Sequence, residues 1–231
     1  FFILLSCIAT TSYAGEFSIM SYNVENLFDT IDDLNHDDET YLPLENKKTS
    51  AHKRKCQRLT NFKFRKDCLR LDWNQQTIQK KMKNISDVIL SVDKGHGPDI
   101  LILVEVENMS ILQQLNKNYL RNAGYKTIEL IPGEDPRGIN VAIMSRFKKY
   151  QESELISLNI IKDKGQDVLK TRGLLRVPLK VSEKIKLTVF GTHLTSQASP
   201  TQVRRQAIES INKIVKAEKN IWIVGGDFNI T

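Results

Sequence analysis

Residues 99–106 read DILILVEV, and that run constrains the fold more than any other stretch of the chain. A strand with one face in water alternates apolar and polar side chains, whereas a strand covered on both faces is apolar throughout. The unbroken apolar residues 100–104 therefore predict a central strand buried between two layers. Glu105 follows them at once, a carboxylate at the end of a strand that otherwise has no use for one.

The flanking sequence supplies the layers. Ile78, Met82, Ile85, Ile89 and Val92 fall at steps of four, three, four and three, which is one apolar helix face. Asp72 is the expected N-cap of that helix, and residues 95–98 break it. Ser110 is expected to cap a second helix carrying Ile111, Leu112, Leu115 and Tyr119. A third opens at Ser199-Pro200, with Val203, Ala207, Ile211 and Ile214 on one face. Strands are expected at 17–24, 126–131, 139–144, 154–158, 173–181, 185–194 and 221–224. This mixture predicts an α/β or α+β layered fold. With 231 residues, 40% of them hydrophobic, the chain has room for one sizeable domain and not comfortably for two. No apolar run reaches the roughly 20 residues of a membrane-spanning helix, so the mature chain is expected to lack one.

The first residues run FFILLSCIA before Ser12-Tyr13-Ala14. An apolar core followed by small residues reads as a partial signal peptide over 1–14, cleaved near Ala14. A short buried strand and a loose lipobox ending at Cys7 are the alternatives. Periplasmic or secreted localisation follows from the first reading, with a domain over 15–231. Loss of the leader leaves Cys56 and Cys68, which in an oxidising compartment form a disulfide; zinc is the other use for such a pair. The chain stops at Thr231 just after an apolar strand and a carboxylate turn, and is read as cut short at both ends.

Charge is segregated inside a predicted insertion at about 30–72. Residues 25–45 hold eight acids and no lysine or arginine, whereas residues 47–70 hold ten bases and one acid, Asp67. Over the whole chain the formal charge is +7. The basic block interleaves Lys63, Arg65 and Lys66 with Phe62 and Phe64. It suits a polyanion backbone, or equally a solvated insertion whose two halves attract each other.

Polar residues at strand ends carry the chemistry. In layered α/β proteins ligands sit where buried strands emerge, and here strands emerge at Asn23, Glu105, His193 and the pair Asp227/Asn229. The set suits attack on a phosphate ester. A carboxylate holds a hard divalent cation, which draws charge off phosphoryl oxygens. A second carboxylate orients water, neutral amides position oxygens without repelling the phosphate, and an imidazole donates a hydrogen bond to it.

Five segments occur in order: SYNVENLFD (21–29), PDILILVEVEN (98–108), DPRGINVAIMS (135–145), FGTHLTS (190–196) and IVGGDFN (223–229). Together they resemble the successive motifs of the endonuclease/exonuclease/phosphatase superfamily, which includes DNase I-like nucleases. The resemblance covers most of 17–229 outside the insertion. It implies a four-layer αββα sandwich of two mixed sheets, the second incomplete here, and metal-dependent phosphoester hydrolysis with Mg2+ or Mn2+. It also implies roles: Glu105 as the main metal ligand with Asn23 beside it, and His193 on the scissile phosphate. Asp227 would orient or activate water, Asn229 would hold the phosphate or that water, and Arg137 would contact phosphate. Val104 and Asn140 depart from the family pattern, which often has Gln and Asp there. A closing Ser-Asp-His-type motif does not occur before Thr231, so the chain alone is expected to be inactive or barely active. The expected activity is that of an exported nuclease on nucleic acid, with no obligate protein partner. The alternatives are a phosphodiesterase or phosphatase on phospholipid head groups or small phosphoesters, and a non-catalytic binding module.

Overall fold

A computed structural model describes residues 16–158, 160–161 and 171–230. The expected leader, 1–14, lies outside the described residues. The elements, in chain order, are β1 (Ile19–Leu27), α1 (Ser50–Gln57), α2 (Phe62–Arg70), α3 (Gln75–Ile89), β2 (Ile100–Val106), α4 (Met109–Tyr119), β3 (Thr127–Leu130), β4 (Asn140–Ser145), β5 (Lys148–Lys149), β6 (Glu154–Ile156), β7 (Leu174–Lys180), β8 (Lys186–His193), α5 (Thr201–Ala217) and β9 (Ile221–Asp227).

Two mixed sheets result. The first runs β1-β2-β4-β3, with β1 and β2 parallel and the other pairs antiparallel. The second runs β5-β7-β8-β9, with β6 also on β7 and with β8 and β9 parallel. Each parallel pair is joined through a helix, α3 in one sheet and α5 in the other, because parallel strands cannot be joined by a tight turn.

The side chains of β2 show why that strand is apolar throughout. Ile100, Ile102 and Val104 pack with Val177, Leu179 and Val189 of the second sheet. Leu101, Leu103 and Val106 pack instead with Ile78, Met82 and Ile85 of α3 and Leu112 and Leu115 of α4. A third cluster joins Leu174 and Phe190 to Ala207, Ile211 and Val215 of α5. The order from one face to the other is helix, sheet, sheet, helix, the expected αββα sandwich. Each fully buried Ile or Leu in these layers contributes about 1.5–3 kcal/mol relative to leaving it in water.

Helix boundaries correct the sequence reading in three places. Asn74, not Asp72, caps α3 by accepting from Thr77 N at 3.0 Å; Asp72 instead accepts from Leu44 N and from Asn74 Nδ2. Val92 lies beyond the last turn of that helix and is exposed. Asn108 rather than Ser110 caps α4, accepting from Ile111 N while its Nδ2 donates to Asp29 Oδ2. In both helices an Asn standing one residue before the first turn has the extended backbone that an N-cap requires.

The predicted insertion is folded. Its basic half forms a two-helix hairpin, α1 and α2, closed by the Cys56–Cys68 disulfide with the Cα atoms 5.6 Å apart. His52 is buried beside it, its Nε2 3.0 Å from Cys68 O and 3.1 Å from Cys56 Sγ. The acidic half meets the hairpin through the Lys55–Glu39 ion pair. Behind it, Tyr41 stacks on Phe28 at 4.1 Å and meets the edge of Trp73, whose Nε1 donates to Phe28 O. The only buried side chains of α1 and α2 are His52, Cys56 and Cys68, so the staple stands in for an apolar stripe. The Cys56→Ser/Cys68→Ser variant is therefore expected to lose about 3 kcal/mol from a closed loop of this size. Urea unfolding without reductant checks it, and an unshifted midpoint means the hairpin orders without the bond.

Candidate active site

One rim of the sandwich collects the irregular backbone. The pairing of β1 with β2 slips between Asn23 and Leu27, and the pairing of β2 with β4 slips between Val104 and Val106. Glu105 is the extra residue of the second slip and has φ 68°. Val104 faces the opposite sheet and Val106 faces the helices, so the bulge absorbs one residue and leaves Glu105 outside both apolar layers. Glu25, Asn26 and Asn229 also have positive φ. Non-glycine residues in that region cost on the order of 1–3 kcal/mol each, and they persist where the surrounding structure holds them.

The bulge brings distant residues together. Asn23 Nδ2 donates to Glu105 Oε1 at 3.3 Å and to Asp227 Oδ2 at 3.1 Å, so one amide group spans both carboxylates. His193 is the register partner of Asp227 at the ends of β8 and β9. Its Nε2 lies 3.8 Å from Glu105 Oε1 and 4.0 Å from Asp227 Oδ2. Asn229 N donates to Asp227 Oδ1 at 3.0 Å, and Asn229 Nδ2 donates to Leu194 O at 3.0 Å. Asn23, Asp227 and Asn229 line a cavity of about 450 Å³ together with Ser21, Gln197 and Phe228.

Asn23 stands differently from an oxygen ligand. Its Oδ1 accepts from Glu25 N at 2.9 Å, which turns the amide nitrogen toward the carboxylates. Arg137 is half-exposed beside Asp135, with Nε 3.5 Å from Asp135 Oδ1, and lines a second cavity of about 510 Å³ with Asn140, Glu107 and His36.

Electrostatics set the state of the imidazole. Burial, then the nearby Arg172 guanidinium, pushes His193 down to about 4 against the pull of Asp227, so the ring is neutral near pH 7. Nδ1 is buried with no hydrogen-bond partner among the described residues. The two carboxylates favour the ring proton on Nε2, where it faces the rim.

Several residues of this rim were not legible from strand ends. Arg172 pairs with Asp135 at 2.6 Å and donates to His193 O and Leu194 O, fixing the chain at the end of β8. Asn140 donates to Glu107 O and Gly138 O and accepts from Gly133 N. Glu107 is buried and accepts from Asp29 N at 2.6 Å; burial first, then neighbouring acids, pushes it up to about 8. The short sequence distance from Arg172 to the predicted strand at 173–181 was its one available signal.

Carboxylate oxygens such as those of Glu105 and Asp227 are hard donors of the kind Mg2+ and Mn2+ take. Among the described residues no lysine or arginine is paired with Glu105 or Asp227. The donor set therefore fits a divalent cation, and Glu105 is the residue that would hold it.

Comparison with curated proteins found no match. Solved structures at a TM-score of 0.50 share the fold. An endonuclease/exonuclease/phosphatase from Beutenbergia cavernae DSM 12333 is 20% identical over 64% of this chain and 42% of its own, with TM-score 0.50. A functionally unknown conserved protein from Enterococcus faecalis V583 is 16% identical over 68% and 60%, with TM-score 0.50. D. rerio TDP2 humanized by 14 mutations is 21% identical over 68% and 63%, with TM-score 0.47. This chain spans less than two thirds of each of them. The model of the Endonuclease/Exonuclease/phosphatase family matches residues 18–69 and 60–229, so the folded insertion falls within the match, and the chain belongs to that family.

Proposed function

We propose that this chain carries the catalytic rim of a divalent-metal-dependent phosphodiester hydrolase acting on nucleic acid. Members of the family hydrolyse phosphate esters. The observation that carries the reading is the sharing of one Asn23 amide by Glu105 and Asp227, with His193 Nε2 within 4.0 Å of both. Side chains 204 positions apart in the chain would have no structural reason to converge on a polar rim that burial alone would avoid.

When bound at Glu105, Mg2+ or Mn2+ supplies Lewis-acid withdrawal of charge from the phosphoryl oxygens. The chain supplies the rest. Asn23 holds the two carboxylates at fixed separation. His193, neutral and carrying its proton on Nε2, donates to a phosphoryl oxygen as negative charge grows there. Asp227 accepts a hydrogen bond from the attacking water and aligns its lone pair with the phosphorus. Asn229, anchored by Leu194 O, keeps Asp227 turned toward that water. Arg137, in the second cavity, would contact a flanking phosphate rather than the reacting one. The net charge of +7 favours a polyanionic substrate, and the disulfide supports export to an oxidising compartment.

Supercoiled plasmid mixed with the full gene product and Mg2+ or Mn2+ is expected to become nicked, and EDTA is expected to stop it. If DNA and RNA both stay intact with every divalent metal while phospholipid head groups are released, the substrate reading is wrong.

A further inference from the structure

The hairpin of α1 and α2 has a composition that the rim does not use. At its tip Phe62 is 72% exposed, Phe64 59% and Leu59 37%. On the same hairpin Lys53, Arg54, Arg58, Lys63, Arg65 and Lys66 make no ion pair among the described residues, whereas Lys55 pairs with Glu39. Close cations repel one another, and a polyanion meeting them would relieve that repulsion. The scaffold is cross-linked: the disulfide and the contact of His52 Nε2 with Cys68 O join one helix to the other.

The order ring, cation, ring, cation, cation over 62–66 selects among polyanions. Residues two apart on a helix lie about 200° apart around its axis, so Phe62 and Phe64 do not form one apolar face to sink into a bilayer. They do present two separate rings, each beside a cation. That pattern matches a nucleic-acid strand, whose unpaired bases stack on aromatic rings while its phosphates meet lysine and arginine.

The hairpin is also tied to the rim. Lys55 holds Glu39, which opens the short helical turn that includes Tyr41. Tyr41 stacks on Phe28, just past the β1 segment that carries Asn23. We propose that the α1/α2 hairpin is a docking element for a single-stranded stretch of nucleic acid, gripping it outside the cleavage site through Phe62, Phe64 and the flanking cations. The proposal rests on the nuclease reading for its purpose but is tested without cleavage.

The measurement is fluorescence anisotropy of a labelled oligothymidylate with the full gene product in EDTA, across a salt series. Phe62→Ser/Phe64→Ser is expected to weaken binding about tenfold or more, and Phe62→Tyr/Phe64→Tyr to restore it because tyrosine also stacks. Lys63→Ser/Arg65→Ser/Lys66→Ser is expected to flatten the salt dependence, by about 0.7 in log–log slope for each phosphate contact removed. Melting curves matching the parent keep loss of fold out of the result. Unchanged affinity in both variants overturns the proposal. So does a parent protein that ignores the oligonucleotide and binds phosphatidylglycerol vesicles. A protein that binds through the hairpin yet cleaves no nucleic acid upholds the docking element and sinks the nuclease reading; one that cleaves with affinity untouched by either variant does the reverse.

Discussion

Glu105→Gln is expected to lower plasmid nicking by about three orders of magnitude while leaving the melting temperature essentially where it was. The loss follows from the charge: an amide is a poor ligand for a hard cation, and the several kcal/mol of transition-state stabilisation from a bound metal correspond to a factor of roughly 1,000. The retained stability follows from the shape. Glutamine keeps the side-chain length and an oxygen able to accept from Asn23 Nδ2, and the backbone at φ 68° is no more strained for one residue than for the other. Removing one of two adjacent carboxylates also relieves their mutual repulsion, which offsets any weakening of that hydrogen bond. Nicking rates and melting curves on the same preparation check both halves. Activity within tenfold of the parent would mean that Glu105 is a strand end and nothing more.

Why Glu105 is available at all is the part that pattern reading does not reach. Residues 99–106 announce a buried strand, and β2 is one. A regular strand alternates, and that register would send Val106 toward the opposite sheet. In the folded chain Val106 packs on α3 and α4 instead, and the slip leaves Glu105 on the rim. Both side chains of the VEV triplet flanking Glu105 are valines, so the apolar pattern reads the same with or without the bulge. The αββα order of the layers followed only from the family resemblance. A layered mixture of helices and sheets was legible because the apolar faces of α3, α4 and α5 have helical spacing and the strands do not. The hairpin was not, because α1 and α2 bury only His52, Cys56 and Cys68, and covalent closure leaves no periodic trace. Asn23, Glu105, His193, Asp227 and Asn229 stand out in the sequence because each is a polar residue closing an apolar run. Arg172 and Asp135 interrupt nothing; they become a buried pair only when two loops meet.

Gly226→Ala is expected to cost more than about 4 kcal/mol, enough to leave little folded protein, a size that only a few mechanisms reach. Gly226 has φ 140°, a conformation that L side chains rarely adopt. A Cβ there would sit 1.8 Å from Thr192 O, a backbone atom of β8 in the parallel β8–β9 pair. No rotamer change relieves that contact, so the strands must part at the point where Thr192 pairs with Gly226 and His193 pairs with Asp227. Gly225→Ala is the internal control. Its Cβ would come 2.5 Å from Ile102 Cδ1, the far end of a side chain that can turn aside, and overpacking of this kind costs about 1–3 kcal/mol. Soluble yield and urea midpoints for the two variants should therefore separate widely, with Gly225→Ala folded and Gly226→Ala barely recoverable. Equal losses would mean that β9 yields at its end and that the His193–Asp227 pairing is not held by the glycine. Any Gly226→Ala protein that does fold is expected to have lost hydrolysis as well, because the strand movement that admits the methyl group carries Asp227 away from Asn23 and His193.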